Sequence, residues 1–254
     1  ALFNNTTASN NTGLGYFALR LNTTGSNNTS VGYKALDANT TGGANTATGK
    51  DSLASNTTGS DNAAYGVESL QNNTTAGNNT AVGYRSLRAN TTGGDNTAVG
   101  FNSLTNNTTG GSNTSVGRSA LSNNTTGGQN TAIGHETLDQ NTTGNYNVAM
   151  GRASLDANIT GSNNVSLGSF ALTTCTTGGT NTAVGYNSLA GVTTGSENCG
   201  LGQAATGITT GSNNLMLGHD AGRSNAPSGS ITTGSNNVCL GNNNISNLYC
   251  ADTS

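Results

Sequence analysis

Apolar side chains in this chain recur once per coil-sized unit, not at the spacing of a helix or of a long strand. Take the glycine that closes strings such as Asn96-Thr97-Ala98-Val99-Gly100 as position zero. It falls at Gly15, Gly32, Gly49, Gly66, Gly83, Gly100, Gly117, Gly134, Gly151, Gly168, Gly185 and Gly202, always 17 residues apart. A step of 16 then leads to Gly218 and one of 23 to Gly241. Position −1 is nearly always apolar (Leu14, Val31, Val82, Val99, Ile133, Met150, Leu167, Leu240), and position +4 is Leu from Leu19 to Leu189. Position −4 is Asn in all fourteen copies, from Asn11 to Asn237. A second glycine follows the Thr-Thr pair, as in Gly25, Gly42, Gly59 and Gly93.

Such a period is the mark of a solenoid. Glycine in every copy and few good helix formers argue against helix, and two short strands with Gly/Asn corners fit each unit. Side chains alternate along a strand, so positions −3 and −1 share a face. Position −1 is apolar, and −3 becomes so late in the chain (Val148, Val165, Leu215, Val238), which predicts that both point inward and pack on the +4 leucines. The predicted fold is all-β, a parallel β-solenoid of about fourteen 17-residue coils. At about 4.8 Å per coil its length would be roughly 65 Å. Residues 1–219 form the regular array, 220–230 a loop insertion, 231–243 the last coil and 244–254 a tail or junction.

Three apolar side chains per coil make a thin core against the backbone entropy of 17 residues. Stacked asparagines should supplement it, and Asn28, Asn45, Asn62, Asn79, Asn96, Asn113 and Asn130 form the expected structural ladder. Position +3 is always small (Ala18, Ala35, Ser52, Ser86, Ala120, Ala171), which suits either close approach of a neighbouring chain or a tight corner. Position +7, Asn from Asn22 to Asn158, becomes Cys175, Val192, Ile208 and Ile231, so the core thickens toward the C-terminal end.

With 31% apolar and 4% aromatic residues the composition alone would read as disorder, but a net charge of −3 and a single proline, Pro227, do not match that class. The charges decide it. Of 19 Lys, Arg, Asp and Glu residues, 18 fall at positions −5, +1, +2 and +5, with Asp252 the exception. A disordered chain has no reason to sort its charges in this way. There is no basic stripe for nucleic acid, no apolar run that could span or insert in a membrane, and Ala1-Leu2-Phe3-Asn4 is not a signal peptide.

Candidate chemistry is sparse. His135 and His219 share position +1 but lie five coils apart, too far to share a metal. Asp139 and Asp156 are neighbours on adjacent coils; a cation site or a glycosidase-like pair is the functional reading, a solvated face the plainer one. No nucleophile constellation or phosphate loop is present, so no enzyme activity, catalytic residue, metal or cofactor is expected. Cys175 and Cys199 occupy slots held elsewhere by Ile and Val and should be buried; a Cys239–Cys250 disulfide is the candidate fastening for the tail. Tyr16, Tyr33, Tyr84, Phe101 and Tyr186 line position +1, either as a glycan-contact stripe or as rings that stack to cover the roll. Asn5, Asn22, Asn39, Asn56, Asn90, Asn107, Asn124 and Asn141 each begin an N-x-Thr sequon, and a eukaryotic secretory pathway would be expected to make them a glycan ladder.

Asn-Thr-Ala-Val-Gly-x-x-Ser-Leu resembles the repeats of trimeric autotransporter adhesin heads, whose unit is shorter. It is closer still to arrays in phage and viral tail-fibre proteins, with Asn181–Ser188 and Thr209–Asn214 as good instances. Such arrays are often followed by a self-cleaving intramolecular chaperone of the endosialidase-fibre type, and Asn247–Ser254 looks like the segment before one. The resemblance implies a homotrimeric, extracellular or virion-surface fibre: a mature shaft or receptor-binding segment with itself, and a cell-surface glycan, as partners. A bacterial adhesin or self-assembling filament is the alternative. Ice binding by threonine ladders such as Thr24/Thr41/Thr58 is the second; adjacent threonines on a flat strand would oppose it, since they point to opposite faces.

Overall fold

The computed structural model describes residues 1–223 and 231–241. Fourteen strands of three residues each, from Thr12–Leu14 to Val238–Leu240, form one parallel sheet in strict chain order. Register follows the repeat, with Thr97 opposite Thr114, Ala98 opposite Ser115 and Val99 opposite Val116. The chain is a β-solenoid, and there is no helix among the described residues. Each coil holds one strand, not the two expected. The rest of the coil is turns and bends stitched to the neighbouring coils by backbone hydrogen bonds, such as Leu104 N–H to the Ala120 carbonyl at 2.9 Å.

The strand faces are the reverse of the prediction. The middle residue is buried and its neighbours are outside: Ala98 is fully buried while Thr97 and Val99 are half-buried. The expectation that positions −3 and −1 point inward is therefore corrected. The interior side of the strand lies against the +4 leucines, all buried from Leu19 to Leu189, and has room only for a small residue. A side chain added at Gly200, on that inner column, would come within 2.7 Å of Leu189 Cγ. The large side chain is thus supplied once per coil from the opposite wall. Where the leucine is lost, at Ala205 and Gly222, the strand compensates by placing Met216 inside. Position +3 is also fully buried within its own coil (Ala18, Ala35, Ser52, Ala120, Ala171), so it is a tight corner and not a surface for a neighbouring chain.

Two asparagine columns flank this narrow core. At position −4 each amide nitrogen of the backbone donates to the Asn side chain one coil earlier, and the carboxamide donates to the carbonyl of a position +10 residue; Asn113 N–H reaches Asn96 Oδ1 at 2.9 Å and Asn113 Nδ2 reaches the Gly127 carbonyl at 2.9 Å. Asn28, Asn45, Asn62, Asn79, Asn96, Asn113 and Asn130 are all buried in this column. At position +7 the carboxamides form a second, direct ladder, Asn107 Nδ2 to Asn90 Oδ1 at 2.9 Å and Asn124 Nδ2 to Asn107 Oδ1 at 2.8 Å. Burying an unpaired amide is costly, and here neighbouring coils supply the partners except at Asn158 Oδ1, where the ladder ends.

Corners are made by residues in the left-handed region. Positions −5, +2 and +4 carry positive φ in coil after coil, for example Asp95 (60°), Asn102 (54°) and Leu104 (53°). Leucine there is unusual, and burial of its side chain is what holds it. The 16-residue step omits position +2: Gln203 is followed directly by the buried Ala204 and Ala205, and Ala205 takes the leucine's conformation at 50°. In the 23-residue step, Asp220–Arg223 keep coil positions, and Ile231 re-enters through a 3.2 Å hydrogen bond to the Gly222 carbonyl. The rest of the expected loop, 224–230, and the tail 244–254 lie outside the described residues.

Candidate functional site

Past the zero glycine, the chain turns outward and presents position +1. The five aromatic residues of the candidate glycan stripe are exposed, from 36% at Tyr84 to 64% at Tyr16. They do not form one platform. Tyr16 stacks on Tyr33 (5.9 Å between ring centres) and Tyr84 on Phe101 (5.3 Å), while Tyr186 meets Phe170 edge-on at 6.1 Å. Lys34 lies over Tyr33 and Arg85 over Tyr84. Faces that would take a sugar ring are thus partly covered by neighbouring rings and cations, as expected of a ladder that closes its own surface.

The more extensive surface is the outer face of the sheet, built from positions −3 and −1. Leu14, Tyr65, Val82, Met150, Val184, Leu201 and Leu240 on it are all exposed. Thr and Val alternate with these apolar groups across fourteen strands, and no charged residue stands at either position. Sequence reasoning placed this face inside the molecule. The signal for the true arrangement was the uniformly small column between the two, Ser30, Ala47, Ala64, Ala81 and Ala98, because only a cramped interior needs it. Cys199, expected to be buried, belongs to the outer face and is half-exposed. Cys175 is buried, its thiol pushed up to about 11 by desolvation. Cys239 is buried at the centre of the last strand, and its candidate disulfide partner Cys250 lies outside the described residues.

Charged side chains form ladders between coils. Arg20 pairs with Asp37 at 2.8 Å, and Arg85 and Arg88 both reach Glu68, at 2.7 and 3.1 Å. The hydrogen bond from Arg85 holds the Glu68 carboxyl below its ordinary range. Asp156 differs. Burial, helped by the charges of Asp139 and Glu136, pushes its carboxyl up to about 6. Asp139 accepts hydrogen bonds from the Ser122 hydroxyl and from Gln140 Nε2. His135 and His219 each sit beside the acid that follows them, Glu136 at 3.4 Å and Asp220 at 3.0 Å. No group of three or more His, Cys, Asp or Glu is arranged to hold a metal among the described residues.

The hydroxyl face spans positions +8 to +11. This segment is not a strand; burial follows a three-residue rhythm, with Asn22, Gly25 and Asn28 inside, Thr23 half-buried and Thr24 exposed. The objection that adjacent threonines must point to opposite faces therefore does not hold. The +8 hydroxyl is spent on the next coil, as in Thr91 Oγ1 to the Thr108 carbonyl at 2.9 Å. At +11, serine accepts from the backbone, as Ser60 does from Gly43 N–H. Position +9 is threonine in every coil and exposed.

The sequon expectation is corrected for the folded chain. Asn22, Asn39, Asn56, Asn90, Asn107, Asn124 and Asn141 are all fully buried, and each Nδ2 donates to the preceding carboxamide and to a glycine carbonyl. An attached sugar has no room there. Asn5, in the incomplete first coil, is half-buried.

No family model, curated protein or solved structure matches this chain.

Proposed function

We propose that the chain is a structural and adhesive fibre segment, a shaft or receptor-binding region displayed outside a cell or on a virion, which works by self-association and not by catalysis. The observation that carries this reading is the apolar outer face of the sheet, which runs the length of the rod without a charge. A surface of that extent is normally covered. Its natural occupant is another copy of the chain, because only a rod with the same coil rise can match the ridges of positions −3 and −1 in register from end to end. Light scattering with and without heating in detergent tests it. The expected result is a heat-resistant oligomer, a trimer on the resemblance to tail fibres, that dissociates when Val99 and Val116 are both changed to Asp. A wild-type monomer at micromolar concentration would overturn the reading.

A second reading, ice binding, is favoured by the +9 threonines. They remain threonine at Thr177, Thr194, Thr210 and Thr233, where the sequon asparagine is gone, so neither a sequon nor an internal hydrogen bond accounts for them. Stiff β-branched hydroxyls at fixed spacing on an uncharged strip suit an ordered water lattice. Thermal hysteresis decides it: a measurable freezing gap lost in Thr92→Lys supports it, and none at millimolar protein removes it.

A further inference from the structure

Seven of the eight Lys and Arg residues lie in ion pairs or against aromatic rings, and the pattern of pairing singles out one stretch. Arg20, Lys50, Arg85, Arg88 and Arg223 each contact a carboxylate, and Lys34 lies over Tyr33. Arg118 and Arg152 contact none. Both stand at position +1, in coils directly below and above that of His135, so three basic side chains occupy one column in consecutive coils. Arg118 and Arg152 are exposed, and Arg118 Nη1 lies 3.5 Å from His135 Nε2.

This column breaks the rule that the rest of the rod follows. Elsewhere the arginines meet an acid, as Arg20 meets Asp37 and Arg85 meets Glu68 in the neighbouring coil. Acids are at hand here too: Glu136, Asp139 and Asp156 belong to the same coils. Yet only Glu136 touches the column, through His135, and the upward shift of Asp156 is caused by burial and by the other two acids with no arginine opposing it. Neither guanidinium is within ion-pair distance of a described carboxylate, and both arginines are exposed. A fork of N–H donors fits a carboxylate or a sulfate with two parallel hydrogen bonds. Aromatic rings bracket the column, the exposed Phe101 one coil below Arg118 and Phe170 beneath the Arg152 guanidinium at 5.5 Å.

We propose that Arg118, His135 and Arg152 form a binding site for a linear acidic polysaccharide lying along the rod axis. This rests on the adhesive reading above and names its ligand class. Two arginines about 10 Å apart, two coil rises, call for anionic groups repeated along a polymer, whereas a single small oxyanion would engage only one of them. Nucleic acid, the other polyanion, fits less well, because three basic groups beside three acids in a chain of net charge −3 give no extended positive stripe.

The test measures binding of the folded chain to immobilised polygalacturonate, sulfated dextran, neutral dextran and single-stranded DNA by interferometry at low and physiological salt. Expected is retention on the acidic polysaccharides only, weakened by about tenfold in Arg118→Gln and in Arg152→Gln, the loss of one charge-assisted contact. Arg88→Gln, which removes a pair with Glu68, should bind as wild type. Unchanged circular dichroism shows that the variants fold. Equal retention on neutral dextran, equal retention on DNA, or arginine variants that bind like wild type would each overturn the site. An oligomeric chain without retention overturns the site alone; a monomeric chain with retention overturns the fibre and leaves the site.

Discussion

The position +7 ladder has a direction, and that makes its energetics testable at single residues. From Asn22 to Asn141 each carboxamide donates down the stack and accepts from above, and Asn158 only donates. At Asn158 the next coil offers Cys175, and the buried Asn158 Oδ1 has no hydrogen-bond donor. A directional ladder that meets an apolar column must leave one orphan acceptor at the junction. Replacing Asn158 by Val moves that junction one coil down: Asn141 Oδ1 is orphaned instead, while the Gly161 carbonyl keeps its bond from Asn147 Nδ2. Replacing Asn107 by Val cuts the ladder in the middle. Asn90 Oδ1 loses its donor, Asn124 Nδ2 loses one of two acceptors, and the original orphan at Asn158 remains. Val itself is suited to the slot, since Val192 occupies it and is fully buried. The two substitutions are chemically identical and differ by one stranded acceptor and one stranded N–H. At about 1–3 kcal/mol for each buried group, Asn107→Val should cost roughly 2–6 kcal/mol more than Asn158→Val. Urea unfolding followed by circular dichroism, with amide exchange to locate the weakened coil, measures the difference. Equal losses in the two variants would show that the ladder is not a directional chain and that the orphan count is the wrong measure.

Other consequences follow from the same packing. Ala76 stands at a position +10 that is glycine in every other complete coil, and beside it Asn79 Nδ2 bonds the Gly77 carbonyl at 3.1 Å in place of Gly93. Ala76→Gly should restore the regular bond and raise the urea midpoint by the equivalent of about 1 kcal/mol, and Gly110→Ala, whose Cβ would lie 2.3 Å from the Gly127 carbonyl oxygen, should lower it. Asp156 is bound to its proton more tightly when folded, so its contribution is present at low pH and is lost as pH rises from about 4 through about 6. The stability lost over that window should be about 1 kcal/mol after allowing for partial exposure, and Asp156→Asn should flatten the pH profile there. Cys199, on the outer sheet face, should react with iodoacetamide in the folded chain once Val99→Asp and Val116→Asp have separated the copies, while buried Cys175 should be labelled only after unfolding, as read by peptide mass.

The period, the strand string, the +4 leucine column and the sorting of charges were legible because each is a statement about translation along the rod, and a repeat displays translation directly. What was not legible is rotation: which way a side chain points within one coil. Apolar character at positions −3 and −1 means inside only when a core is wide enough to need large side chains. Here Leu104 alone fills the width opposite Ala98, so the strand's inner side must be small and its β-branched residues are left outside. The same confinement explains the sequon error. Asn107 reads as a surface acceptor by motif, but a core this narrow recruits it as a filler whose two N–H groups are consumed by Asn90 and Gly110. The column at Arg118, His135 and Arg152 was visible as letters in one slot; its lack of carboxylate partners was not, because pairing depends on where neighbouring acids turn. From Leu19 to Leu189 the +4 column does not vary, so over those coils information specific to one place resides on the outside, where position +1 changes from coil to coil.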